Sequence, residues 1–248
     1  MPISGCVRWI LLLPCAPGDL SGLADDDSRR PGPVSMKRRA LIGWLAVSVV
    51  LGSCGKAPRL PSIPPGKTVL AFGDSVTFGT GAAAGEDWPT LLAGLTGWQV
   101  ENAGVPSDTA EAARGRMPAL LDAHRPALVI IEIGGNDFLR RRSAKAVKED
   151  VRYLVQAARA SGAQVALVAV PELSLLGLVA GKPSDAPIYQ ELAEEEQVVI
   201  VNEVFSAILG RPELCADQIH PNAEGYRQMA AGIHRQLQKV GLAPSGGR

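Results

Sequence analysis

The chain has 248 residues, with 25 Lys plus Arg against 25 Asp plus Glu, 46% hydrophobic side chains and only 4% aromatic ones. That balance excludes a basic nucleic-acid binder and a charge-rich disordered chain, and the apolar share suffices for one sizeable core. With 27 Gly and 19 Pro, irregular segments accompany that core, so one domain plus flanking chain is the expectation.

Residues 1–35 lack the periodicity of core-building elements. Asp25 to Arg30 is a charge run, Pro31-Gly32-Pro33 is a turn, and the apolar fragment Trp9 to Leu13 stops at Pro14. These residues read as an upstream extension from a start assigned too early, because an export signal begins at Met36. Lys37, Arg38 and Arg39 form its basic region, followed by a 12-residue apolar stretch from Ala40 to Leu51. A helix needs about 20 apolar residues to cross a bilayer, so a permanent span is not expected. Leu51-Gly52-Ser53-Cys54 resembles a bacterial lipobox, which implies a lipid anchor on Cys54 after cleavage of residues 36–53; an ordinary secretory peptide cleaved nearby is the other reading. In lipobox proteins Gly55 after the cysteine suggests sorting to the outer membrane. Six of the basic and four of the acidic side chains precede Cys54, leaving the remainder near −2. No nucleic-acid partner follows from that charge. Cys6, Cys15, Cys54 and Cys215 have no paired zinc spacing, and lipidation of Cys54 would leave Cys215 without a disulfide partner. Residues 54–66, with Pro58, Pro61, Pro64 and Pro65, read as an extended tether.

From residue 67 to 242 the pattern alternates strand and helix, with a flexible tail at 243–248. Thr68 to Phe72, Ala127 to Ile133, Gln164 to Val170 and Gln197 to Val201 are near-continuous apolar runs suited to buried parallel strands, with Trp98 to Val100 a weaker fifth. Helical patterns cover Trp88 to Leu95, Thr109 to Leu121, Ala144 to Ala160, Tyr189 to Glu195 and Asn222 to Gln238. In the third of these, Val147, Val151, Leu154, Val155 and Ala158 make one apolar stripe. The expectation is an α/β domain with right-handed crossovers, whose chemistry lies beyond the carboxyl ends of the strands.

Those ends carry the informative residues. Gly73-Asp74-Ser75 follows the first strand; Ser75 is a candidate nucleophile, although the local context taken alone favours an N-cap serine. The spacing fits neither a phosphate loop nor a G-x-S-x-G elbow, since Thr77 stands where the second Gly belongs. Three histidines are available. His124 precedes a strand, His234 sits within the last helical pattern, and His220 follows Asp217 by three in a loop ending at Pro221. A carboxylate there can hold Nδ1 and leave Nε2 free as a base, or Asp217 and His220 can be ordinary turn residues. Asn136, in Gly134-Gly135-Asn136-Asp137, and the Gly104 N–H, after Asn102-Ala103, are candidate donors to an oxyanion. Asp137 is expected to order its loop through backbone N–H groups. One His and one Asp make no metal site.

In order, Gly73-Asp74-Ser75, Asn102-Ala103-Gly104, Gly134-Gly135-Asn136-Asp137 and Asp217-x-x-His220-Pro221 closely resemble the four blocks of the SGNH or GDSL hydrolases. Arg116 to Leu121 and Leu128 to Arg140 look like the thioesterase I, lysophospholipase L1 and arylesterase subgroup. The resemblance implies a three-layer α/β/α sandwich around a mostly parallel five-stranded sheet, similar to flavodoxin. It implies Ser75 as nucleophile, His220 as base, Asp217 as its orienter, and Gly104, Asn136 and the Ser75 N–H as oxyanion hole. No cofactor or metal is required, the substrate is a small acyl ester or thioester, and a monomer in the bacterial envelope is expected. The alternatives are a carbohydrate or peptidoglycan O-acetylesterase, with Trp88 and Trp98 available for stacking on sugar, and a noncatalytic envelope-binding lipoprotein. Val76 departs from the family's Leu at a packing position, and Gln218 stands where Gly is common. Leu173, Leu175 and Leu176, in an apolar stretch between Pro171 and Pro187, are expected either to line an acyl pocket or lid or simply to pack on the domain.

Overall fold

Five short segments assemble into one wholly parallel sheet in a computed structural model that describes residues 60–172 and 183–244. The strands are β1 (Thr68–Gly73), β2 (Gln99–Gly104), β3 (Leu128–Glu132), β4 (Gln164–Val168) and β5 (Val199–Val201), in spatial order β2-β1-β3-β4-β5. β1, β3 and β4 are the interior strands, which is why their sequences are almost continuously apolar and why every residue of β3 is buried. β2 lies at an edge and is largely solvent-facing; its polar residues Gln99, Glu101 and Asn102 explain why hydrophobicity reveals only its start.

The helices among the described residues are α1 (Ser75–Phe78), α2 (Trp88–Thr96), α3 (Ala110–Ala113), α4 (Met117–His124), α5 (Gly135–Leu139), α6 (Ala144–Ala160), α7 (Pro187–Glu196), α8 (Phe205–Leu209) and α9 (Ala223–Lys239). α2 packs on α9, while α3, α4 and α7 gather around α6, giving helical layers on the two faces of the sheet. The expected stripe of α6 is buried in full, capped at its start by Ser143, whose hydroxyl accepts from Ala146 N–H. The single helix expected over 109–121 is instead two. Thr109 caps α3, the chain leaves helix after Ala113, and α4 starts afresh with Pro118 in its first turn, where a missing N–H costs nothing. The run expected to begin a strand at Gln197 starts only at Val199, because Gln197 is the left-handed C-cap of α7.

Residues 60–66 lie against the domain. Leu60 N–H donates to Val240 O, Ile63 N–H to Leu242 O, and the buried Ile63 accepts from Trp98 Nε1 at 3.0 Å. Cys54, the signal segment 36–53 and Leu173, Leu175 and Leu176 lie outside the described residues. Among the described residues no helix is long and apolar enough to cross a membrane.

Candidate active site

Register brings the site together. Gly73, at the end of β1, pairs with Gly104 of β2 on one side and with Glu132 of β3 on the other, so the loops leaving these three strands emerge side by side. The order β2-β1-β3 makes the gap between β1 and β3 the point where chain progression reverses, which is where parallel α/β sheets open a crevice.

Asp74 opens α1 as its N-cap, accepting from Val76 N–H at 3.0 Å, and places Ser75 as the first helical residue, whose N–H has no intrahelical acceptor. Asn102 draws the second loop onto this turn: its Nδ2 donates to Thr77 O at 2.9 Å and to Asp87 Oδ1 at 3.2 Å, and its Oδ1 accepts from Gly104 N–H at 3.0 Å. Gly104 touches α1 so closely that a Cβ there would sit 2.2 Å from Phe78 N, so the approach of β2 requires glycine.

From the far end of the chain, the 215–222 loop is closed by the Cys215–Pro221 bridge and by Asn222 N–H donating to Leu214 O. Tyr226 on α9 ties the same region to the serine loop by donating to Thr80 O at 2.7 Å. His220 thereby meets Ser75 across 145 residues: Nε2 lies 2.9 Å from Ser75 Oγ, and Nδ1 lies 2.7 Å from Asp217 Oδ2. Asp217 Oδ1 also accepts from Ile219 N–H and His220 N–H, both at 2.8 Å. Burial would raise this carboxyl, but the bonds from the ring and the two N–H groups outweigh it and hold Asp217 below its ordinary range. The imidazole is largely covered while Asp217 is half exposed, which lets solvent screen the pair.

Asn136, near the start of α5, also reaches the site, lining a small cavity with Asp74, Ser75, Glu132 and His220. Its Nδ2 donates to Asp108 O at 2.9 Å and, more weakly, to Asp74 Oδ2 at 3.3 Å. Asp137 accepts from Ala110 N–H at 2.8 Å and pairs with Arg142 at 2.5 Å, so it ties its segment to the start of α3 and to the chain after α5 instead of bonding N–H groups of its own loop. His124 and His234 belong to α4 and α9 and take no part in the Ser75–His220–Asp217 line.

Two residues near the site carried little signal in the sequence. Arg116 donates to Gly73 O and Ala103 O, both at 2.7 Å, and to Asp108 Oδ2 at 2.8 Å, with its guanidinium over the Phe72 ring. Glu132, the last residue of β3, is wholly buried and accepts from Thr77 Oγ1 at 2.8 Å. Its one sequence signal is a carboxyl within an otherwise apolar run. Burial, and then the neighbouring Asp74 charge, push Glu132 well above the ordinary range; Asp74 itself is pushed up to about 7 by burial, against the Val76 N–H bond and the nearby imidazole. No group of three His, Cys, Asp or Glu among the described residues is arranged to hold a metal.

Residues 71–228 match the model of the GDSL-like Lipase/Acylhydrolase family. The chain is 32% identical to the Thioesterase 1/protease 1/lysophospholipase L1 of Escherichia coli K12 over 178 residues, covering 70% of this chain and 84% of that protein. It is 31% identical to an arylesterase of Vibrio mimicus over 201 residues, covering 78% and 97% respectively. The crystal structure of the psychrotrophic esterase EstA from Pseudoalteromonas sp., inhibited by monoethylphosphonate, superimposes with a TM-score of 0.60 at 25% identity, covering 70% of this chain and 97% of that one.

Proposed function

Since the chain belongs to the GDSL-like, or SGNH, lipase/acylhydrolase family and is a serine hydrolase of its esterase–thioesterase type, we propose that it cleaves small acyl esters or thioesters through an acyl-enzyme on Ser75. The observation that carries the assignment of residues is the continuous line from Ser75 Oγ through His220 to Asp217, with contacts of 2.9 and 2.7 Å.

His220 Nε2 takes the Ser75 proton as Oγ attacks the carbonyl carbon, while Asp217 holds Nδ1 and stabilises the imidazolium. Negative charge develops on the carbonyl oxygen, which the Ser75 and Gly104 N–H groups and Asn136 Nδ2 receive. Gly104 N–H and Asn136 are engaged within the protein without substrate, so the oxyanion must draw Gly104 from Asn102 Oδ1 and Asn136 from its 3.3 Å contact with Asp74. Collapse expels the alcohol or thiol, protonated by His220. Water then attacks the acyl-enzyme by the same route, and Ser75 recovers its proton.

An apolar acyl group is favoured by the rim. Phe78 at the end of α1, Val105 just after β2 and Leu139 at the end of α5 are among the few large apolar side chains exposed to solvent among the described residues. A carbohydrate substrate gains no such support, since Trp88 and Trp98 are buried and offer no face to a sugar. We also propose envelope residence through a lipid on Cys54, on the strength of the residue 36–54 pattern; metabolic labelling with a palmitate analogue, lost in Cys54→Ala, tests it. For the activity, p-nitrophenyl esters of increasing acyl length, acyl thioesters and acetylated glycans are compared. Hydrolysis of the esters and thioesters with little release of acetate from glycans is expected; a preference for acetylated glycan would overturn the acyl assignment.

A further inference from the structure

Glu132 is a buried carboxyl without a cation. It is fully covered, its Oε2 accepts from Thr77 Oγ1, its Oε1 has no hydrogen-bond partner, and among the described residues it makes no ion pair. The Arg116 guanidinium is spent on Gly73 O, Ala103 O and Asp108. Leaving an ionised carboxylate in such a place costs several kcal/mol, whereas a neutral acid needs only an acceptor for its proton. A carboxyl acceptor stands nearby, because Glu132 and Asp74 line the same small cavity as Ser75 and His220.

Building on the hydrolase reading, we propose that Glu132 is a positioning residue that acts as a neutral acid: one oxygen anchors the serine-bearing turn through Thr77, while the carboxyl shares a single proton with Asp74 across the cavity. The pair then carries one negative charge, not two, in the cavity it shares with the imidazole. That charge adds to Asp217 in stabilising the imidazolium, and a second would swing the turn away from β3. The groups facing the pair fit this division. Asp108 and Asp137 oppose further negative charge at Asp74, His220 favours the one that is there, and the Tyr189 hydroxyl on α7, which feels both carboxyls, donates to Ile133 O at 2.7 Å. Burial and the mutual repulsion of the two carboxyls favour the same single-proton state, as in any close carboxyl pair.

The test uses the full chain, with two readouts. Infrared difference spectra at pH 8 between wild type and Glu132→Gln are expected to show a protonated-carboxyl stretch present only in the wild type. The rate at which a fluorophosphonate labels Ser75 is expected to stay within about threefold in Glu132→Gln, whose amide can both accept from Thr77 and donate toward Asp74. It should fall roughly 10²-fold in Glu132→Leu, with thermal melting confirming that both variants are folded. Should Glu132→Leu not fold, Thr77→Val takes its place, removing the same anchor from the other side. A wild type without the protonated band, a band untouched by Glu132→Gln, or Gln as slow as Leu would overturn the proposal. Failure of the wild type to label at all would overturn Ser75 as nucleophile, while the infrared band still decides the proton.

Discussion

Ser75, His220 and Asp217 depend on one another unequally. Ser75→Ala removes the hydroxyl that Nε2 reaches and is expected to abolish acyl-enzyme formation, with kcat falling by about 10⁴-fold or more in a p-nitrophenyl ester assay. Asp217→Asn keeps much of the turn but loses the charge that supports the imidazolium. Because Asp217 is half exposed, its loss should cost clearly less than the roughly 10⁴-fold seen for a buried triad aspartate. Gly73 bears on the same turn through space alone. A Cβ there would lie 2.1 Å from Thr77 Oγ1 and 2.2 Å from Glu132 O, so Gly73→Ala must push Thr77 off Glu132. Slower Ser75 labelling is expected from that variant even where circular dichroism still reports a folded protein.

Among the elements, those whose environment is uniform were legible in the sequence. α6 shows its buried stripe because one face meets the core and the other meets water, and β1 and β3 are almost continuously apolar, Glu132 apart, because both faces are covered. β2 was only half legible, since an edge strand is held by main-chain pairing that leaves no hydrophobic trace. The break between α3 and α4 was missed because periodicity alone runs on across Gly115 and Pro118. The Ser75 block stood out as polar residues at a strand end, and the Asp217–His220 block as a carboxylate three residues ahead of a histidine in the loop before α9. Arg116 did not, because its role is to satisfy carbonyls at the ends of β1 and β2, which only register brings together. Arg116→Met is expected to cost about 1–3 kcal/mol in urea unfolding, by leaving those carbonyls unpaired. Arg152 makes the opposite case. On α6 it pairs with Glu149 of its own helix and with Glu195 and Glu196 of α7 at the surface, and Arg152→Ala should cost no more than about 1 kcal/mol, less at high salt.

For the molecule as a whole, the sheet order sets the place of the chemistry and the buried carboxyls beneath it set a cost in stability. Folding raises Asp74 from an ordinary value of 3.8 to about 7, so the folded state keeps a proton that the unfolded chain releases. Stability from this group is therefore full below about pH 4, declines as pH rises through about 7, and is level above that. Asp74→Asn keeps an N-cap acceptor without the titration. Its melting temperature should gain on the wild type across that window and not below it; parallel curves from pH 4 to 8 would mean that Asp74 titrates normally. The measurement that bears most directly on the whole account is mass spectrometry of the protein after reaction with a serine-directed phosphonate at neutral pH. One adduct per chain is predicted, mapped to Ser75, absent in Ser75→Ala and formed far more slowly in His220→Ala. An adduct elsewhere, or a His220→Ala protein that reacts as fast as the wild type, would contradict it.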